Sequence, residues 1–219
     1  MASDSREGER VLAERRQAKP GPRPAAVVAT PLDDARLVAR LAEGQSAPLR
    51  PLMDRHLPRL VGLGRRMLGD MAEAEEVAQE VFLTLWQRAA EIEVPSAGIG
   101  AWLYRVAANR CLDRLRARRP ASADGLDQVT VAPRQEQGLQ EHDIGRAVDL
   151  ALQRLPERQR LAIALCHFEE RPMAEAGDIL GVSVEAIESL LARARRSLKR
   201  DLEGHWRELL PDVQVEQET

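Results

Sequence analysis

Residues 172–200, PMAEAGDILGVSVEAIESLLARARRSLKR, hold two apolar repeats at helical spacing, separated by a turn that can stop one helix and start another. Met173, Ala176 and Leu180 predict an inward face for the first helix, and Gly181 supplies the permissive backbone where it stops. Ser183 restarts the chain: its hydroxyl can accept from a first-turn N–H, and Glu185 suits the positive end of the next helix. Ile187, Leu191, Ala194 and Leu198 recur at +4, +3 and +4 and predict one buried stripe. The pattern is that of a helix-turn-helix. Outside the stripe lie Arg193, Arg195, Arg196, Lys199 and Arg200, five positive charges in eight residues with no acid among them. A phosphate backbone fits such a face. The plainer reading of the same period is a solvated helix hairpin with a basic end; the Gly-Val-Ser turn favours DNA.

Helical spacing continues through most of the 219 residues, of which 31% are charged and 3% aromatic. No apolar run approaches the roughly 18 residues of a membrane span, so a soluble, helix-rich protein of one large or two small domains is expected. The first thirty residues contain no apolar core of a secretory signal. Cys111 and Cys166 stand far apart with no CxxC or Cys/His cluster, which predicts reduced thiols in a cytoplasmic protein. Cys166-His167 supplies too few ligands for a metal, and neither metal nor cofactor is expected.

The formal net charge of −3 conceals strong segregation. Residues 101–119 hold six arginines against Asp113, a balance of +5; residues 193–200 hold +5. Residues 69–93 hold seven acids against Arg88, or −6, and 201–219 hold six acids against Arg207, or −5. Stripes of both signs predict at least two kinds of partner.

Residues 1–31, broken by Pro20, Pro22, Pro24 and Pro31, are expected to be a disordered tail. Asp33 or Asp34 can cap a short helix that turns Leu37, Val38 and Leu41 inward and ends at Gly44. A longer helix follows, with apolar residues at threes and fours from Leu49 to Leu68, Pro51 tolerated in its first turn and Pro58 expected to kink it. His56 lies on its apolar face and is expected to be packed in the core. From Met71 to Ile92, Ala74, Val77, Ala78, Val81, Phe82, Leu85, Trp86 and Ala89 predict a wide buried stripe, with Glu73, Glu75, Glu76, Gln79 and Glu80 opposite. Acids in the first turns also suit the helix dipole, so a merely stabilising surface is one reading of them. After a loop at 94–100, the helix predicted over 101–118 places Trp102, Arg105, Asn109, Asp113 and Arg116 within one arc of about 80°. Guanidinium groups, a ring and an amide can grip a nucleic-acid strand; a tryptophan near a helix start also serves as a core anchor.

GDMAEAEEVAQEVFLTLWQRA, AWLYRVAANRCLDRLRARR, LQRLPERQRLAIAL and the helix-turn-helix, in that order, resemble a bacterial sigma factor of the sigma-70 family, extracytoplasmic-function (ECF) type. The resemblance spans about Asp33 to Arg119 and Ala147 to Leu202. It implies an all-α chain of two small helical domains joined by a flexible linker: region 2 at 32–119, an acidic linker at 120–145, region 4 at 146–205 and an acidic tail at 206–219. It implies that Glu75, Glu76, Gln79 and Glu80 bind the polymerase core, on the β′ coiled coil, with the β subunit as the other core partner. It implies that Trp102, Tyr104, Arg105, Asn109, Arg110, Asp113 and Arg116 handle the promoter −10 element, the preceding loop capturing a flipped base. It places Ser183, Glu185, Glu188, Ser189, Arg193 and Arg196 at the −35 element, and it implies an anti-sigma factor as partner. Pro156 is expected to open the helix that backs the motif, with Leu161, Ala164, Leu165 and Phe168 on its inner face.

The chain departs from the family pattern in three places. Ala176 replaces a larger aliphatic, Gly177 stands inside a helix at a cost of about 1 kcal/mol against alanine, and Glu188 and Leu190 stand where basic residues are common. Sequence preference at −35 is therefore not carried over. No carboxylate pair, Ser/His/Asp set or phosphate-cradling glycine loop predicts an enzyme. The alternative from another class is a free-standing helix-turn-helix regulator with residues 32–119 as an oligomerisation or sensing domain; a pure protein adaptor would leave both arginine stripes without a role.

Overall fold

The computed structural model describes residues 31–95, 98–118 and 141–209, and every described element is helical. The expected tail before Pro31, most of the linker, Ser96-Ala97 in the loop and the last ten residues lie outside the described residues.

The first bundle contains α1 (Pro31–Ala42), α2 (Leu49–Leu68), α3 (Met71–Arg88) and α4 (Ile99–Ala117), with a short 3-10 turn at Ala89–Glu91. Because α1 begins at Pro31, Asp33 and Asp34 fall in its first turn instead of capping it. Asp34 turns inward and is only 6% exposed, accepting from Arg55 at 2.5 Å and pairing with His56 Nε2 at 2.8 Å. His56 is thus a partly buried polar partner of α1. Helix α2 runs unbroken through Pro58. It crosses α3 so closely that a Cβ on Gly64 would stand 3.0 Å from the Cα of Ala74, which explains small residues at both positions. Asp70 caps α3, its carboxylate accepting from the Glu73 N–H at 3.0 Å.

Val77, Ala78, Val81, Phe82 and Leu85 of α3 meet Leu60, Leu63 and Met67 of α2 and Leu103, Ala107, Cys111 and Leu115 of α4 in one apolar core. Burial pushes the Cys111 thiol up to about 12, so it stays protonated. Trp86 leaves the expected stripe and is 44% exposed, beside a cleft lined by Leu41, Ala42, Ala89 and Ala90.

The second bundle contains α5 (Glu141–Gln153), α6 (Glu157–Ile163), α7 (Met173–Leu180) and α8 (Val184–Leu209). Helix α5 starts inside the stretch expected to be linker. Pro156 immediately precedes α6, which continues into a π-helical turn at Ala164–Phe168. That turn carries Phe168 out of the inner face, leaving it 40% exposed. Met173, also expected inside, opens α7 at 40% exposure, and the inward positions are Ala176, Gly177 and Ile179.

The two bundles do not stand apart: residues from Pro31 onward form one compact unit. The Arg160 guanidinium of α6, 2% exposed, donates to the Met67 carbonyl at the end of α2 at 2.6 Å and to Gln153 Oε1 at 2.7 Å. Burial lowers its pKa to about 10, still high enough to keep it charged near neutrality. Gln153 in turn donates to the Arg66 carbonyl at 2.7 Å.

Candidate nucleic-acid interface

The turn between α7 and α8 is fixed from three sides. Gly181 sits at φ 66°, in the left-handed region, and its N–H bonds back to the Gly177 carbonyl. A Cβ on Gly177 would lie 2.8 Å from the Val182 carbonyl oxygen, so the glycine inside α7 makes room for the turn. Arg158 of α6 donates to the Leu180 carbonyl at 3.1 Å, satisfying an acceptor that the end of α7 leaves unpaired.

Ser183 then accepts from the Ala186 N–H at 3.3 Å as the cap of α8. A hydrogen bond with Ser183 holds the Glu185 carboxyl below its ordinary range. Ile187, Leu191 and Ala194 are buried, as expected of the inward stripe. Ser183, Glu185, Glu188, Ser189, Arg193 and Arg196 are all exposed. At 100° per residue, the five of them within α8 fall in an arc of about 140°. The chain therefore presents one exposed face of carboxylates, a hydroxyl and two guanidinium groups on the side of α8 away from the core.

In the first bundle, α4 exposes Arg105, Asn109, Arg110, Asp113 and Arg116, while Trp102 is partly buried against the core. Arg116 lies 3.4 Å from Asp113, one turn back. Tyr104 does not join this face. It is 1% exposed, its hydroxyl donates to Glu169 Oε2 at 2.6 Å, and burial, reinforced by that bond, raises its pKa.

Of the acidic set on α3, Glu75, Glu76 and Gln79 are exposed and Glu80 is partly so. Arg114 of α4 reaches between two of them, donating to Glu76 at 2.9 Å and Glu80 at 2.6 Å. Its burial disfavours charge, but the two carboxylates outweigh that and raise its pKa. Arg110 lies 3.6 Å from Glu80, and Arg118 pairs with Glu73. The −6 and +5 stripes thus neutralise one another in part along the α3–α4 seam.

Leu83, which is not among the residues expected to bind core, is 56% exposed and lines a shallow depression with Glu76, Gln79 and Glu80. Its signal was its spacing: Gln79, Glu80 and Leu83 stand at +3, +4 and +7 from Glu76, the recurrence of a single helical face. Also outside the sequence reading were Arg66, Gln153, Glu169 and Arg171, whose contacts join the two bundles. Among the described residues, no group of three or more His, Cys, Asp and Glu could hold a metal ion, and no helix is long and apolar enough to cross a membrane.

A helical bundle with a basic, amide-bearing face, packed on a helix-turn-helix with an exposed polar face, makes this an all-helical protein of two parts. The sequence matches the Sigma-70 region 2 family over residues 52–120 and the Sigma-70, region 4 family over 145–198. It is 32% identical over 168 residues to the ECF RNA polymerase sigma factor SigM of Mycobacterium tuberculosis, covering 76% of this chain and 83% of that one. It is 25% identical over 179 residues to ECF RNA polymerase sigma factor SigW of Bacillus subtilis, covering 75% and 94%. The chain belongs to the ECF sigma factors of the sigma-70 family, and it directs RNA polymerase to promoters through regions 2 and 4. Its fold is similar to that of CnrH in complex with the cytosolic domain of CnrY, with a TM-score of 0.60, 24% identity and coverage of 78% of this chain and 98% of that one. It is also similar to RpoE in complex with the anti-sigma factor NepR from Bartonella quintana, with a TM-score of 0.55, 24% identity and coverage of 70% and 96%.

Proposed function

We propose that the polar face of α8 reads the −35 element, that the α4 face handles the −10 strand, and that the α3 face docks on core polymerase. The observation that carries this reading is the exposure of Ser183, Glu185, Glu188, Ser189, Arg193 and Arg196 opposite the buried Ile187, Leu191 and Ala194. Arg193 has the length and fork geometry to donate to a guanine edge or a phosphate; Glu188 can accept from a cytosine amino group. On α4, Arg105 and Arg116 attract phosphates and Asn109 offers an amide to a base already out of the stack. Tyr104 reaches a strand only when the second bundle leaves it.

Core docking falls to Glu75, Glu76, Gln79 and Glu80, with Leu83 as an apolar centre among charges, the composition of a small interface with a polar rim. The expected surface is the coiled coil of the β′ subunit, with β completing the contact. Core polymerase and promoter DNA place the protein in the cytoplasm. An anti-sigma factor completes the set of partners, as one does for the RpoE of similar fold.

Run-off transcription on a genomic library with core polymerase tests the reading and yields the promoter. Transcripts that need both core and this protein are expected. Tight, sequence-specific duplex binding by the free protein, with no transcript on adding core, would make it a free-standing regulator instead.

A further inference from the structure

We propose that the docked arrangement of the two bundles is a closed, inactive state, latched by the buried Glu169 carboxylate between Tyr104 and Arg66, which opens before the protein engages a promoter. This rests on the assignment of α4 and α8 to the −10 and −35 elements.

Glu169 follows the π-helical turn and is 7% exposed. It accepts from the Tyr104 hydroxyl at 2.6 Å and from Arg66 Nη1 at 3.3 Å, both on the first bundle. Around this centre the Arg66 guanidinium lies over the Phe168 ring at 4.1 Å, and the Arg171 guanidinium over the Tyr104 ring at 4.5 Å. Arg65 reaches Asp149 at 2.6 Å on the outer edge of the same junction.

The segment that presents the latch is held in costly conformations. The Glu169 N–H bonds to the Ala164 carbonyl in a π turn, and Glu170 has φ 53°, a value that a side-chain-bearing residue rarely adopts. Such geometry persists where surrounding contacts enforce it, and here they come from the other bundle at Glu169 and also from Leu165 and Glu175 of the same bundle at Arg171.

Two features make this a latch that can open. Apolar residues of both bundles share one buried cluster, but the contacts around Glu169 are polar, and donors and acceptors there that lose protein partners on opening regain water, so this part of the junction separates at less cost than an apolar patch of the same size. The closed form is also too small for the task. A compact unit of about 180 residues has a radius of gyration of roughly 16 Å, or a diameter of about 40 Å. Elements named for positions about 25 base pairs apart are separated by roughly 85 Å of duplex at about 3.4 Å per pair. The closed chain cannot lay one face on each, and it keeps Tyr104 under the second bundle.

The test uses the full chain in two variants, with small-angle scattering of each protein and run-off transcription with core. Glu169→Ala removes the central acceptor and should raise the radius of gyration. It should also speed association with core, by at most the reciprocal of the open fraction in the parent. Circular dichroism should show parental helix content. Arg65→Cys with Asp149→Cys, in a Cys166→Ser background, is joined by a short bis-maleimide containing a disulfide. The linked protein should fail to transcribe, and reduction should restore transcription, which separates locking from damage. Identical scattering of Glu169→Ala and the parent, or full transcription by the linked protein, would overturn the latch. If the unmodified chain gives no transcript with core, the promoter-reading assignment fails instead, and the scattering comparison still decides whether Glu169 holds the bundles together.

Discussion

The backbone of Val182 passes so close to Gly177 that the space a Cβ would occupy lies 2.8 Å from the Val182 carbonyl oxygen. The intrinsic preference of a helix for alanine is therefore reversed at this position. Gly177→Ala gains about 1 kcal/mol in propensity but must displace the turn, and overpacking of this kind costs about 1–3 kcal/mol. A net loss of stability is expected, with a lower thermal midpoint followed by circular dichroism; a higher midpoint would mean that the turn yields freely.

Arg114 joins α4 to α3 through Glu76 and Glu80, and its side chain is 23% exposed. Arg114→Ala leaves two carboxylates facing one another without their shared cation. The side chains of Glu76 and Glu80 are 63% and 41% exposed and Arg110 stays near Glu80, so a loss of no more than about 1 kcal/mol in chemical denaturation is expected, and added salt should narrow the difference from the parent.

On the proposed docking face, Leu83→Lys combined with Gln79→Ala should weaken retention of core polymerase in a pull-down. Both side chains are exposed, so stability should change by no more than about 0.5 kcal/mol. Unchanged retention with an unchanged fold would move the docking surface elsewhere.

In the recognition helix, Arg193→Ala should cost about 1–3 kcal/mol at the cognate −35 sequence if the contact is bidentate to a base. Glu188→Lys should strengthen binding to every duplex and steepen its salt dependence if Glu188 only faces phosphates, or lose discrimination if it reads a cytosine. Selection of the same sequences with the same affinity by both variants would place this helix outside the groove.

Ser183→Ala removes the cap of α8, at a cost of about 1 kcal/mol, and with it the hydrogen bond that keeps the Glu185 carboxyl low. The carboxyl should titrate higher in the variant, read by carbon-13 chemical shifts. Because the folded pKa is depressed, its contribution is present above the ordinary glutamate range and lost as pH falls through the folded value. In the variant that acid-side loss should shrink.

The helices and most of the core were legible because helical periods are local: Val77, Ala78, Val81, Phe82 and Leu85, and Ile187, Leu191 and Ala194, are buried as their spacing requires. The failures have local causes too. Phe168 stands seven residues after Leu161 and would share its face in an unbroken α-helix; the wider π turn rotates it outward. Met173 stands at the first turn of α7, before the helix meets its neighbours. Asp34 reads as a cap only if the helix begins beside it, and α1 begins earlier. Tyr104 lies about 200° around α4 from Trp102, so helical geometry alone separates it from the face that family resemblance assigned it to. What joins the bundles was not legible at all. Glu169 and Tyr104 are 65 residues apart, and no period relates them.

The pairing of α3 acids with α4 arginines also sets what the first bundle releases when it meets nucleic acid. Arg110, Arg114 and Arg118 already have carboxylates as counterions. Cations that never condensed on phosphate neutralise no strand and liberate no ions from one. Counting all six arginines of 101–119 would give a single-strand affinity falling with a log–log salt slope of about −4, whereas setting aside Arg110, Arg114 and Arg118 leaves three and a slope of about −2. Salt should therefore dissociate the first bundle from an opened strand only weakly, leaving most ionic-strength sensitivity to the arginines and lysine of α8.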